Sequence, residues 1–418
     1  MDLIEARHLA SKLVAPLGVE RVRIEEALGR VLGERIVADR NLPSEPRSRL
    51  DGFALRSTDV FGATRETPVF LSVASGCIPA GHNVPVGIRL RECIRILTGA
   101  ALPQHADAVA PYEEVEVYGE NLVLKRPYAV GSGVAVPGED VRKGEFLLSE
   151  GEVLTPTRLA LIAALGHKRL AVYRQPQVAL LATGDEVKTL GAVEKGPFTY
   201  CNNMYLLSWL TQLQGGKATP LGVAVDEPRV IAEQLQDVRA ELVITTGGMG
   251  KGDRDFIVEA WQILGVQMIF REINLIPGRS TALGVRGRQV FLGVPGNPWA
   301  AQVVFDELAI PMMKSWQGLA SPEYPLIKAI LQAPLKKKPG FFKAIRGTLD
   351  LEAVPPRFDP AKTEGTSIFN RVKDCFAYIL LKPHVVEVAA GSEVQVQLRD
   401  FPLLASPLLK KIGSLGSD

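Results

Sequence analysis

The segment "ELVITTGGMGKGDRDF", Glu241 to Phe256, gathers chemistry-bearing residue types into one turn. An apolar run ends at Thr245 and Thr246, the glycines Gly247, Gly248 and Gly250 follow, and Asp253 and Asp255 stand beyond them among basic residues. Glycines let backbone N–H groups approach a phosphate without interference from Cβ, and the threonine hydroxyls add donors. Two carboxylates beside such a loop would repel a phosphate unless a divalent cation stands between them, which is a common role of magnesium. Asp253 serves at least as well as the cap of the helix that "FIVEAWQIL" predicts, so Asp255 is the better metal candidate. Two further turns share this character. "LLATGDE" presents Thr183, Gly184, Asp185 and Glu186 after a second apolar run, and "GVPGNP" supplies Pro295, Gly296 and Asn297 after a third. Asn297 can bond a ligand or its own turn. Singly, each requires no more than a tight reversal of the chain. Together, on successive strands of one domain, they predict a phosphate site for a nucleotide-like or pterin-like ligand.

The elements that must position these turns follow from periodicity. Over residues 173–318, apolar runs ending in glycine loops alternate with amphipathic segments such as "NNMYLLSWLTQLQGG". Strands buried on both faces by crossover helices have this pattern, which predicts a parallel α/β domain with its ligand beyond the carboxyl ends of the strands. Upstream, "MDLIEARHLASKL" and "IEEALGRVLGERIV" predict helices. Runs such as "VFLSV" and "CIRILTG" then predict a β-rich insert, and "TPTRLALIAALG" a return to helix. Downstream, a segment opening on the basic "LKKKPGFFKAIRGTL" and closing on "AAGSEVQVQL" predicts a small β domain. The expected division is 1–40 with 141–172 (helical, split), 41–140 (inserted, β-rich), 173–318 (α/β) and 319–418 (C-terminal, β). The insert carries polar residues of its own: Asp51 in "SRLDGFAL", Thr98 in "LTGAALP", Glu139 and Asp140 in "GEDVRKG". Hairpin and loop chemistry accounts for each, and spacing does not join them to the α/β loops.

Composition narrows the partners. Among 418 residues, 48 basic and 46 acidic side chains nearly cancel to a net charge of +2, so no global field attracts nucleic acid or an anionic membrane. The four cysteines are far apart and suggest neither a zinc clip nor a disulfide framework. No secretion signal is recognised and no apolar run is long enough to span a bilayer, so a cytoplasmic protein is expected.

The order of the motifs resembles the molybdopterin molybdenumtransferase family, the MoeA proteins and the corresponding domain of gephyrin. The family's elements stand here as "PSEPRSRLDGFA", "ILTGAALPQHADAV", "GED", "TGDE", "TTGGMGKGDRD", "IPGRS" and "PGNP", in sequence and across essentially the whole chain. The resemblance implies an α/β multidomain fold: a three-layer molybdopterin-binding domain with a parallel-rich sheet, a split helical domain, an inserted β-rich domain and a C-terminal barrel-like β domain. It implies a homodimer with the active site at the subunit interface. There adenylylated molybdopterin and molybdate are the substrates, Mg2+ the cofactor, and AMP and the molybdenum cofactor the products. Molybdopterin adenylyltransferase or a recipient molybdoenzyme would be its partners. Carried over by motif, Asp51, Asp140, Glu186 and Asp255 are the catalytic carboxylates, with Glu186 and Asp255 on the metal. Thr98, Thr183, Gly184, Asp226, Thr246, Gly247, Gly248, Gly250, Pro277, Gly278, Arg279, Pro295, Gly296, Asn297 and Arg346 would bind the pterin substrate and the oxyanion.

The chain departs from the family's pattern chiefly on the oxyanion side. Where the family has the two anion-binding lysines of K-P-G-K-P, this chain has Ile276 and Arg279; Gly250 replaces a serine, and Trp299 with Ala300 replaces a small hydroxyl after P-G-N-P. A second reading follows from these departures, a family member that binds, stores or delivers pterin cofactor without turnover.

Overall fold

The computed structural model describes residues 1–82, 87–193, 196–248, 256–319, 326–361 and 377–398. By internal packing the chain divides into two compact units, one of residues 22–28 with 34–170, the other of residues 1–21, 29–33 and 171 onward.

Short β-branched runs in the first of these build a six-stranded sheet. Its strands are β1 (Gly52–Leu55), β2 (Val69–Ile78), β3 (Glu92–Ile96), β4 (Ala108–Pro111), β5 (Glu116–Tyr118) and β6 (Asn121–Leu124), in the spatial order β4-β1-β3-β2-β6-β5. All neighbours are antiparallel except β2 and β3. Phe53, Leu55, Leu71 and Leu122 pack in one apolar cluster and Ala54, Ile78, Ile96 and Val109 in another, so the central strands are covered on both faces. That is why β1 is uniformly buried instead of alternating. The Asp51-Gly52 pair at its start is no hairpin turn. Gly52 lies within β1, and an added Cβ would stand 2.0 Å from the carbonyl oxygen of Ala110 on β4. The glycine is there for close approach of two strands.

Helix α1 (Leu3–Lys12) forms where expected, capped by the Asp2 carboxylate, and buries Leu3, Ala6 and Ala10 in the main core of the second unit. Helix α2 (Pro156–Ala164) has Thr155 as its N-cap and proline in its first turn. The helix expected over "IEEALGRVLGERIV" does not form. Its residues give a single 3-10 turn at Ile24–Glu26 and a short strand at Ile36–Val37, because Gly29 and Gly33 interrupt the run before a second helical turn can propagate.

The larger unit contains the α/β domain. Its strands are β7 (Gln177–Thr183), β8 (Lys217–Ala224), β9 (Leu242–Thr246), β10 (Gln267–Arg271), β12 (Ala282–Arg286) and β13 (Gln289–Val294), with a short strand β11 (Leu275–Ile276) outside the sheet. The order is β8-β7-β9-β13-β12-β10, parallel through the first four and antiparallel through the last two. Helices α3 (Asn202–Leu213), α4 (Pro228–Gln236), α5 (Phe256–Ile263), α6 (Pro298–Val304) and α7 (Ile310–Trp316) cover it. Leu180, Ile244 and Leu292 pack with Leu207 and Val304 in one core, and Leu181, Val243 and Phe291 with Ile231 and Trp261 in another, which makes three layers as expected. The β domain that follows consists of β14 (Leu326–Leu331), β15 (Phe342–Asp350), β16 (Arg357–Pro360), β17 (Ala377–Leu381) and β18 (Glu393–Leu398). The order β15-β16-β14-β18-β17 closes on itself through the pairing of β15 with β17, which makes a barrel. Strand β11 adds to its outside in parallel with β15, placing Ile276 opposite Lys343.

Candidate active site

The parallel register brings the glycine turns to one end of the sheet. Ala182 pairs with Thr246 and Thr246 with Val294, so β7, β9 and β13 end side by side. The Thr183 hydroxyl donates to the Thr246 carbonyl at 3.3 Å, and the Gly247 amide donates to the Val294 carbonyl at 3.3 Å. Gly247 has φ +95°, and a Cβ there would stand 2.4 Å from the Thr183 carbonyl oxygen, so this backbone passes its neighbour only as glycine. A pocket of about 240 Å³ opens at this end, lined by Thr183, Glu186, Thr246, Gly247 and Gly296, all expected from the sequence. Tyr200, on a short strand Thr199–Tyr200, and Asn202 and Asn203, whose segment reads only as an amphipathic helix, line it too and were not anticipated. The signal was a pair of asparagines at that helix's start. Asn203 donates through Nδ2 to the Gly296 carbonyl at 2.7 Å, while its Oδ1 is buried without a hydrogen-bonding partner. Gly250 and Asp255, like Asp253 and Lys251, lie outside the described residues.

Beside this pocket three carboxylates stand close together. The Asp226 amide donates to Asp185 Oδ1 at 3.1 Å. Partial burial, then the charges of Asp185 and Glu186, raise the Asp226 carboxyl above the ordinary aspartate range, and its Oδ1 is buried without a partner. An acidic group in this condition suits a cation. Among the described residues no set of three His, Cys, Asp or Glu side chains is arranged to hold a metal ion. The raised Asp226 carboxyl and its unsatisfied oxygen suit a divalent cation in charge and donor type, while the described carboxylates do not by themselves make a complete metal site.

A second cavity, of about 420 Å³, lies where the α/β domain meets the barrel. The two cavities share the Pro-Gly-Asn-Pro-Trp turn: Gly296 and Pro298 line the first, Asn297 and Trp299 the second. Asn297 also caps α6, its Oδ1 accepting from the Ala300 amide at 3.1 Å, so the expected alternative of bonding its own turn is realised. Pro277 and Arg346 line the second cavity, and the almost fully buried Arg346 guanidinium lies 5.2 Å from the Trp299 ring centroid. Trp299 in turn meets Tyr378 edge-on. The Tyr378 hydroxyl donates to the buried Glu307, which also pairs with Arg7. Gly278 stands in the neighbouring turn, its carbonyl accepting from the Thr281 hydroxyl at 2.7 Å. Arg279 does not line either cavity; its guanidinium pairs with Glu272 at 3.1 Å and lies over Phe341. Lys336 and Lys343 line the second cavity and were not singled out from the sequence, where they read only as parts of a basic stretch.

In the smaller unit, the sheet register joins two of the insert's expected residues. Gly52 pairs with Ile96, and Asp51 Oδ1 accepts from both the amide and the hydroxyl of Thr98, at 2.8 and 2.7 Å. These bonds, with Arg95 a weaker influence, hold the exposed Asp51 carboxyl below the usual range. Asp140 follows Glu139, whose carboxylate is committed to Arg49 and to the Val136 amide. Asp140 itself is exposed at a shallow depression with Arg142 and Glu145.

Two family models match the chain, "MoeA N-terminal region (domain I and II)" over residues 1–166 and "Probable molybdopterin binding domain" over residues 179–315. A molybdopterin molybdenumtransferase of Bacillus subtilis is 31% identical over 390 residues, covering 91% of this chain and 89% of the relative. The chain belongs to the molybdopterin molybdenumtransferase family. A second molybdenumtransferase, from Haemophilus influenzae, is 31% identical over 95% of this chain and 98% of its own length. A solved MoeA structure from Pyrococcus horikosii superposes with a TM-score of 0.82 at 27% identity, covering 95% of this chain and 98% of the other. This molybdenumtransferase-family chain is therefore a transferase of molybdenum cofactor biosynthesis, with the family's mixed α/β multidomain fold. None of its described helices is long and apolar enough to cross a membrane.

Proposed function

We propose that this enzyme inserts molybdate into adenylylated molybdopterin, cleaving the phosphoanhydride and releasing AMP and the molybdenum-loaded pterin. One observation carries the reading. A single turn, Gly296 to Trp299, lines both a glycine-walled pocket suited to phosphate and a cavity whose charged lining, among the described residues, is cationic. A phosphorylated pterin and a metal oxyanion can be held on its two sides. Magnesium, when bound, would offset charge on the phosphate oxygens, and Glu186, Asp226 and Asp255 are the residues that would hold it. Asn203 Oδ1 is left to accept a hydrogen bond from the ligand. In the reaction an oxygen of water or molybdate bonds to the pterin phosphorus, the bond from phosphorus to the adenylate oxygen breaks, and AMP leaves with that electron pair; the two pterin sulfurs bond to molybdenum, which stays hexavalent, as one molybdate oxygen leaves as water with the two thiol protons. Such chemistry depends on positioning and charge more than on a strong side-chain nucleophile. The same reading makes the protein a cytoplasmic homodimer whose active site lies at the subunit interface, with Asp51 and Asp140 in supporting roles. Its partners would be the adenylyltransferase that supplies the substrate or the molybdoenzyme that receives the product.

The test is AMP release from adenylylated molybdopterin by the purified chain, dependent on magnesium and molybdate. Tight binding of that substrate with no AMP formed would sink the enzymatic reading. It would favour the alternative, a protein that holds pterin cofactor without turnover, to which the apolar Ile276 and an Arg279 paired with Glu272 lend support.

A further inference from the structure

The cavity beneath Trp299 contains a charge arrangement that the motifs do not describe. Among the described residues that line it, Lys336, Lys343 and Arg346 are titratable and none is acidic. Much of the remaining wall is apolar, with Ile276, Pro277 and Trp299 among it. Arg346 is buried, with its guanidinium over the Trp299 ring. Lys336 is mostly exposed and already faces Glu387 at 3.3 Å. Lys343 is half-buried on β15, directly opposite Ile276 on β11. Neighbours in register on paired strands project to the same face, so a cation at 343 can serve the volume that a cation at 276 would serve. Lys343 also makes itself felt locally: after burial, its charge is what holds Lys337 below the ordinary lysine range.

We propose that Lys343, with Arg346, binds the tetrahedral metal oxyanion in this cavity, supplying from the barrel strand the positive charge that Ile276 lacks. The assignment rests on the molybdate-insertion reading for the identity of the anion. Arg279, committed to Glu272, is not the replacement. The apolar wall adds selectivity. An anion entering must exchange water for two cationic groups, which favours a large, weakly hydrated oxyanion over a small, strongly hydrated one.

The experiment is calorimetric titration of the full chain with sodium molybdate, with adenylylated molybdopterin turnover measured separately. Loss of one charged hydrogen-bonding partner predicts that Lys343→Ala weakens molybdate about tenfold or more. Lys343→Arg stays near wild type, and Lys328→Ala, whose lysine is paired with Glu393 and does not line the cavity, is unchanged. Adding Ile276→Lys to Lys343→Ala moves the charge back across the strand pair and restores binding. Thermal melts identify any variant that fails to fold. Equal affinity in wild type and Lys343→Ala, loss in Arg279→Ala instead, or no recovery on adding Ile276→Lys overturns the assignment, as does a wild-type chain that binds no molybdate. Molybdate binding that depends on Lys343 without AMP release overturns the turnover reading and leaves the assignment standing.

Discussion

At the scale of single residues, the proposed site contains positions whose conformation or charge is costly to the protein by itself. Gly247 is one. Its φ of +95° and the 2.4 Å separation between a built Cβ and the Thr183 carbonyl mean that Gly247→Ala must shift two strand ends apart. It should destabilise the protein by about 1–3 kcal/mol in urea unfolding and abolish pterin binding. Asp226 is another. Its raised pKa means the native state binds that proton more tightly than the unfolded chain does. Its contribution is full at pH below the unfolded aspartate value and is lost as pH rises through the raised native value. Without divalent cations, Asp226→Asn should flatten that stretch of the stability profile and raise the melting temperature at neutral pH. The same variant should lose much of the stabilisation that added magnesium gives the wild type. Scanning fluorimetry between pH 4 and 7, with and without magnesium chloride, checks both, and an Asn variant with wild-type magnesium response would remove Asp226 from the metal site.

Elements were legible where their physics is local. Strands β7, β9 and β13 were readable because burial on both faces writes an uninterrupted apolar run and a glycine marks each end. The loops that meet in the first pocket were therefore legible too. What the sequence could not convey was pairing between distant strands. Nothing in the spacing of Ile276 and Lys343 tells that β11 joins the barrel, or that Asp51 accepts both bonds from Thr98. The Arg279 charge was legible but its pairing with Glu272 was not, since that depends on a turn closing between them. The helical pattern over "IEEALGRVLGERIV" misled because amphipathic spacing persists across glycines that stop a helix. The helices that hold the turns should be separable by stability. Trp261 on α5 is almost fully buried and meets Phe291 of β13 edge-on at 5.8 Å. Trp261→Ala should cost about 3–5 kcal/mol in chemical denaturation. Removing the α6 cap by Asn297→Ala should cost about 1 kcal/mol, with a larger effect on ligand affinity than on stability because the turn faces both cavities. A loss confined to stability would mean that Asn297 is only a cap.

At the scale of the whole molecule, the residues carried over by motif fall into two separate compact units, Asp51, Thr98 and Asp140 in one and the glycine turns in the other. The proposed homodimer with sites shared between subunits makes a prediction that a monomeric site does not. Asp51→Ala and Glu186→Ala should each inactivate AMP release when purified alone. If a site takes Asp51 from one subunit and Glu186 from the other, a mixed dimer of the two variants has one doubly damaged site and one intact site. Random exchange from an equal mixture should then recover about a quarter of wild-type activity, since about half the dimers are mixed and each has one working site. If both residues of a site come from one chain, every site in the mixture carries a damaged residue and no activity returns. Co-expression with two affinity tags, followed by AMP release from the doubly purified dimer, distinguishes the cases without relying on subunit exchange. Recovery would show that two copies of the chain are needed to complete the site; an inactive but intact mixed dimer would confine the chemistry to one chain.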